Sequence, residues 1–453
     1  MSIDATTRRL VDFALAAEYA KLDTATVHSV KRHLIDAFAC AAAAFNDPEA
    51  RIALDVAARH TGVPDATLWG TSRTTTPEMA AFANGVLVRC LDLSDTYLGR
   101  GGSHPSDMIP ALLAVAESAG RSGPELINAV ALAYDVYCTM NDAVDINVSG
   151  WDQTLYALAG TVLGAGRLLG LSAAQLADAV ALALVPNMAL RQTRQGELSS
   201  WKGYAGPNSA RNAVFAANLA LLGVTGPSEA FEGRQGLWHV LGPFDWQLPS
   251  SPGRHKISEC HLKSLPICYH GQSAAWCAVE LRDALDPLSV DVIQVETYRN
   301  AVSIMANDST RWSPDNRETA DHSLPFVVAA ALVDGVVSAT SFERKRWQDP
   351  AIVALMRRVE VKECTELTAL YPLAAPSRVT IRMRSGEVLA HEMRYPRGHA
   401  LNPMTDAQVE EKYRECFRGH GAENNCLTVL DRLWHVDEVD DLRKDLLGLL
   451  AVH

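Results

Sequence analysis

Apolar residues recur every three or four positions through most of the first half of the chain, with polar residues between them. That period predicts helix after helix. TATVHSVKRHLIDAFACAAAAF begins at a threonine cap and keeps helical spacing. TPEMAAFANGVLVRCLDL starts with Thr76 as cap and Pro77 at the first helical position. PELINAVALAYDVYCTMNDAV and SAAQLADAVALALVPNMAL are apolar on more than one face, which predicts burial in an all-helical core. GPNSARNAVFAANLALLG is a further helix, ended by glycine.

After about residue 253 the texture changes. VDVIQVETY (290–298) and RVEVKEC (358–364) read as strands. SRVTIRMRSGEVLAHEMRYP (377–396) reads as a hairpin: Val379, Ile381 and Met383 alternate with polar residues before Ser385-Gly386 turns the chain. Helices are expected at 271–284 and 322–335, and again from Asn402 onward. The fold class is therefore mainly α. A large all-helical domain comprises 1–252 and is completed by 397–453, with a smaller α+β domain inserted at 253–396. A small-molecule site is expected in the cleft between them.

Composition narrows the function. Among 453 residues the formal net charge is −12, which argues against nucleic acid but permits an anionic ligand in a pocket with its own potential. The nine cysteines form no CxxC pair, and their odd number suits a reducing compartment. The N-terminal segment reads as a charged amphipathic helix without a signal peptide's apolar region, and the run around Phe38–Phe45 is too short to span a bilayer. A cytoplasmic protein with no membrane or nucleic-acid partner is expected. GTVLGAG (160–166) lies in a helical run and lacks a Gly-Lys-Ser/Thr ending, so it is no phosphate loop. No dinucleotide fingerprint, nucleophile elbow or HExxH motif is present, so the sequence announces no cofactor and no metal.

Four polar clusters interrupt the apolar segments. In LDLSDTYLGRGGSHPSD, Asp92 sits at a helix end, and His104 precedes Pro105 and Ser106 at the start of the next helix. A histidine there can move a proton near neutral pH, and a helix N-terminus suits a carboxylate. The plainer alternative makes Asp95, Thr96 and Ser106 caps and His104 a loop residue. In LRQTRQGELSSWKGYAGPNSARN, Arg191, Arg194 and Lys202 stand beside a glycine-rich helix start, as an anion site or as surface cations. In ECHLKSLPICYHGQ, Lys263, Tyr269 and His270 are candidates, whereas Cys268 reads as a small buried hydrophobe. A metal set with His255 or His261 fits no zinc spacing. In RETADHSLPFVVAAALVDG, Asp321 or His322 either caps a buried helix or serves a site.

These segments, with TGPSEAFEGRQGLW and RGHALNPMTDAQ, together resemble the MmgE/PrpD family over nearly the whole chain. That family includes 2-methylcitrate dehydratase, cis-aconitate decarboxylase and iminodisuccinate epimerase. The resemblance implies a large helical domain with an α+β lid, a homodimer, no cofactor and a small di- or tricarboxylic acid as substrate. It carries Asp92 and Thr96 (LDLSDT), His104 (HPSD), Lys202 (WKG), Lys263 (LKSLP) and Tyr298 (VETYRN) into the expected site. Two departures stand out. Gln153 follows Gly150-Trp151-Asp152 where many relatives have histidine, and Cys268 stands where the decarboxylases have one. The implied reaction is loss of water from a hydroxy acid after removal of a proton next to a carboxylate. Lys202 and Lys263 would meet the charge that develops, or one would act as base, with His104 moving a proton under the influence of Asp92. Thr96, Arg191, Arg194, Gln153, Tyr269, His270 and Tyr298 would bind substrate. Epimerisation, decarboxylation, or carboxylate binding without catalysis are the alternatives.

Overall fold

The computed structural model describes residues 3–63, 65–249, 255–419 and 423–450. The fold is mainly α, and the expected boundary at 252/253 lies outside the described residues.

Helices Thr24–Ala43, Pro77–Arg89, Ile109–Ser118, Gly123–Ala143, Thr154–Leu169, Ala173–Leu184 and Trp201–Leu221 pack into one large apolar cluster. Helices Asp406–Phe417 and Glu423–Trp434 complete it from the far end of the chain. Alanine at many contacts lets these backbones approach closely; in the first helix Ala37, Ala39, Ala41 and Ala42 are all buried. The Thr24–Ala43 helix is capped by Asp23, whose side chain accepts from Thr26 N–H, and not by a threonine. Thr76 occupies its expected cap position but makes no side-chain cap bond; Pro77 alone marks that start. The helix expected from Gly206 begins earlier, at Trp201, and carries Pro207 inside it.

A second apolar cluster runs from Leu265 to Met383. Its sheet has four strands, numbered here in chain order: β1 (Val290–Thr297), β2 (Val359–Glu363), β3 (Ser377–Met383) and β4 (Val388–Met393). Their spatial order is β2-β1-β3-β4, with β1 and β2 parallel and the other pairs antiparallel. Val379, Ile381 and Met383 face inward while Thr380 and Arg382 do not, as a period of two requires. Helices Gln272–Arg282 and Leu324–Asp334 supply the rest of this core. No described helix is long and apolar enough to cross a membrane.

The polar stretch 91–108 folds as a short two-stranded turn, Tyr97–Leu98 against Gly102–Ser103, followed by a 3₁₀ turn at Pro105–Met108. Thr96 and His261 exchange backbone hydrogen bonds of 2.8 and 2.7 Å, which ties this stretch to the one holding Lys263. Lys412, from the helix Asp406–Phe417, reaches under both. Its Nζ donates to Asp36 Oδ1 (2.5 Å) and to the carbonyls of Leu93 (3.1 Å) and Lys263 (2.8 Å).

Candidate active site

A cavity of about 320 Å³ lies between the two apolar clusters. Its walls include Asp92, Thr96, His104, Gln153, Arg191, Arg194, Lys202, Tyr269 and His270, nine of the residues expected from sequence. Cys268, His322, Arg89 and Arg311 line it as well. The short helix Arg299–Met305 and the turn after it present Asn300, Ser303, Ile304 and Asn307, one helical face, as a further wall.

Asp92 is the hub. It follows the Pro77–Arg89 helix in the left-handed region, at φ 52°, a conformation that non-glycine residues rarely hold. Arg89 Nη1 meets its Oδ1 at 2.8 Å, Lys263 Nζ the same oxygen at 2.5 Å, and Lys202 Nζ its Oδ2 at 3.2 Å. Burial alone would raise this carboxyl; Lys202, Lys263 and Arg89 override that and hold it well below the usual carboxylate range. Lys202 also donates to both oxygens of Asp321 at 2.8 Å. Asp92, Asp321 and His322 bring three potential metal-ligand atoms together, but the cations already beside them occupy the role a metal would take.

Two expected contacts are corrected. Lys263 is fully buried beneath Asp92, with its second hydrogen bond to the Asp92 carbonyl (2.9 Å), and does not line the cavity. Its pKa is lowered, first by burial and then by Arg89, against the pull of Asp92. Tyr298 is likewise behind the wall, 2.5 Å from His270 Nδ1 and stacked on Tyr371. Among the described residues the phenol has no other acceptor, so it donates to Nδ1 and leaves Nε2–H of His270 for the cavity. Burial, then the nearby cations, push the His270 pKa down to about 3.

His104 is held by its neighbours more than by Asp92. Its Nδ1 lies 2.8 Å from the Asp95 carbonyl and 3.2 Å from Thr96 Oγ1, while Nε2 is 4.0 Å from Asp92 Oδ1. A carbonyl only accepts, so Nδ1 carries the hydrogen and Nε2 keeps its lone pair. Burial, then Arg89 and Lys263, hold the ring neutral, its pKa well below that of free histidine. The plainer reading of the first cluster holds for one residue: Asp95 Oδ1 accepts from Ser106 N–H at 2.9 Å, a capping contact.

His322 is the opposite case. Ser323, not Asp321 or His322, caps the following helix by accepting from Phe326 N–H. His322 Nδ1 instead donates to Asp321 Oδ1 at 2.5 Å and lies 3.8 Å from Asp92 Oδ2. Its pKa is raised: burial opposes this, but Cys268 and Asp321 outweigh burial and Lys202. The partner shift agrees. Burial raises the Cys268 thiol, yet the hydrogen bond and charge of His322 bring it below the ordinary value. Cys268 is therefore no inert core residue but one of two cavity-wall groups, with His322, that each favour the other's charged form.

The arginines divide by partner. Arg194 binds Asp152 (Nε to Oδ2, 3.0 Å) and the Lys202 carbonyl (3.1 Å), so it braces the wall. Arg191 makes no side-chain hydrogen bond or ion pair among the described residues, and Arg311 Nη1 is buried without one. Tyr269 Oη is also buried and unpartnered. These groups offer donors that no atom of the described residues takes up. Arg89, which sequence reasoning missed, was visible as the one cation of an apolar helix; Asp321 and His322, weighed from sequence as caps or site residues, serve the site and not the cap. Behind them Asp107 is pushed up to about 7, by burial against the pull of Arg89. Its Oδ2 lies so close to Gly206 that a Cβ there would sit 1.9 Å away.

The sequence profile of the MmgE/PrpD N-terminal domain matches residues 8–248, and that of the MmgE/PrpD C-terminal domain matches residues 265–436. The chain is 28% identical over 393 residues to 2-methylcitrate dehydratase of Cupriavidus necator, covering 81% of this chain and 80% of that one. It is 26% identical over 447 residues to alkylcitrate dehydratase phiI of Fungal sp. (strain ATCC 74256), covering 91% and 87%. With 2-methylcitrate dehydratase of Salmonella typhimurium it shares 26% over 422 residues, covering 86% and 85%.

Proposed function

The chain belongs to the MmgE/PrpD family, and from that membership and the cavity's chemistry we propose that it is a hydro-lyase removing water from a small hydroxy tricarboxylate of the 2-methylcitrate type. The observation that carries the reading is a pair of histidines of opposite character at the two oxygens of Asp92. His104 presents its Nε2 4.0 Å from Oδ1, in a setting of burial and nearby cations that favours the neutral ring; His322 Nδ1 lies 3.8 Å from Oδ2, where Cys268 and Asp321 favour the charged one. An elimination needs a base and an acid at once, and environments that push two pKa values apart supply them. His104 Nε2 takes the proton next to a carboxylate, and His322 protonates the departing hydroxyl. Lys202, between Asp92 and Asp321, meets the charge that builds on the carboxylate. Lys263 acts through Asp92 as a positioning residue.

Arg191, Arg311, Tyr269 and the His270 Nε2–H bind the substrate's carboxylates, because each has bonding capacity to give. Thr96 Oγ1 accepts from His104 and keeps its own hydrogen for substrate. Counted over the core of the site, three cations (Arg89, Lys202, Lys263) face two anions (Asp92, Asp321), a balance to which the His322–Cys268 pair adds no net charge. The surplus suits a polyanion despite the chain's net charge of −12. The sheet-bearing part acts as a lid, the protein works in the cytoplasm as a homodimer, and neither nucleic acid nor membrane is a partner. The test is a panel of hydroxy di- and tricarboxylates in heavy water. New alkene absorbance with a 2-methylcitrate-type acid is expected. Deuterium uptake without alkene would replace dehydration by epimerisation; no exchange at all, with tight binding, would replace catalysis by binding.

A further inference from the structure

On the other side of the 92–96 stretch from the cavity, three side chains point their ligand atoms at one another. His33 comes from the helix Thr24–Ala43, Asp95 from the loop after Asp92, and Cys260 from the segment before Lys263. One ligand atom of each lies within 4.8 Å of the other two, and all three residues are buried. His33 Nδ1 is 2.8 Å from the Ser29 carbonyl, so that nitrogen carries the hydrogen and Nε2 carries a lone pair. Nε2 is buried, makes no hydrogen bond among the described residues, and sits 3.7 Å from Asp95 Oδ2. Two electron-pair donors thus face each other at a distance too long for a shared proton. Burial disfavours an imidazolium as the remedy, since the ring is 5% exposed.

We propose that His33 Nε2, Asp95 Oδ2 and Cys260 Sγ form a binding site for one divalent cation of the zinc type. The donor set of imidazole, carboxylate and thiolate is the one such borderline-soft ions take. The outer contacts are those that orient metal ligands. The other histidine nitrogen donates to a backbone carbonyl, and the carboxylate is held by Tyr134 Oη (2.8 Å) and Ser106 N–H (2.9 Å). The charges close: Cys260 gives up its thiol proton to solvent as the metal–sulfur bond forms, so carboxylate and thiolate together neutralise a divalent ion. Cys138 Sγ, 3.8 Å from Cys260 Sγ, adds a further soft donor beside the three. A second cavity of about 170 Å³, lined by His33, Cys260, Ser29, Arg32, Leu262 and Met404, gives an ion a way in. Bound there, the ion joins three segments at the residue whose carbonyl holds His104. Its role is to brace the site, and it is separate from the proposed reaction.

The test uses the full-length protein, stripped with chelator and dialysed against Co²⁺ or Zn²⁺. One ion per chain is expected, with a thiolate-to-cobalt charge-transfer band and a higher melting temperature on Zn²⁺ addition. Cys260→Ser should abolish the band and weaken binding by on the order of 100-fold or more. Cys277→Ser, a buried cysteine elsewhere, should leave both unchanged. Circular dichroism of the metal-free variants establishes that each is folded, and His33→Asn repeats the test without touching a thiol. Absence of stoichiometric metal in the folded wild type, or a band that survives in Cys260→Ser, overturns the proposal.

Discussion

Lys263 Nζ binds Asp92 twice, at Oδ1 (2.5 Å) and at the backbone carbonyl (2.9 Å), across 171 residues of sequence. The lysine is completely buried, and so is its partner. This bond joins the helical body to the segment that leads into the sheet-bearing part, and it holds a residue whose backbone is in the left-handed region. Removing one member of such a pair leaves the other charge buried and uncompensated. Lys263→Met should therefore cost about 3–5 kcal/mol of stability as well as activity. The double variant with Asp92→Asn should recover part of the stability and none of the turnover. Thermal unfolding beside steady-state kinetics checks both.

His104→Ala should lower kcat by on the order of 100-fold or more, the loss expected for a general acid–base group, with little change in melting temperature. Alkene formation measured on folded protein decides it; near-wild-type turnover would remove His104 from the mechanism.

Arg191 and Arg194 should behave differently although both are arginines of the cavity wall. Arg191→Ala should raise KM by roughly 10–100-fold, as for a lost charge-assisted hydrogen bond, and leave the melting temperature unchanged. Arg194→Ala should lower the melting temperature because Asp152 is left buried and unpaired. Calorimetry and kinetics on the same two preparations separate the cases.

The Cys268–His322 pair sets a pH signature. His322 is raised above 6.5, so its charged form, and the stability it contributes, is complete below 6.5 and lost as pH rises through the higher folded value. The basic limb of kcat/KM should follow that loss and vanish in His322→Asn. The thiol is lowered from 9.0, so iodoacetamide should alkylate Cys268 faster at neutral pH than it does a free cysteine, slower as pH falls, and slower in His322→Asn. Peptide mass mapping after timed quenching, with and without a tricarboxylate ligand, checks this.

Gly206→Ala should destabilise the protein by about 1–3 kcal/mol, since the new methyl meets Asp107 Oδ2 where there is no room. Denaturant unfolding measures it.

The fold class was legible because helical period and strand alternation are local signals: Val379, Ile381 and Met383 announced their strand without any partner. The candidate site was legible in part. His104, Lys202 and Asp92 stood out as polar residues in apolar company. What one sequence position does not reveal is depth. Lys263 and Tyr298 lie one layer behind the wall, and Arg194 spends its charge on Asp152, because packing between distant segments decides which face of a residue meets the cavity. Cys268 looked inert for the same reason: its thiol is changed by His322, 54 positions away, which no spacing rule connects.

Lys412 gives the assembly an order in time. The carbonyls of Leu93 and Lys263 and the buried carboxylate of Asp36 wait for an ammonium group that is synthesised 149 positions after Lys263. A nascent chain halted before that point has made every cavity-lining residue yet lacks the tether beneath them. The floor of the cavity is thus closed by a residue that takes no part in its walls.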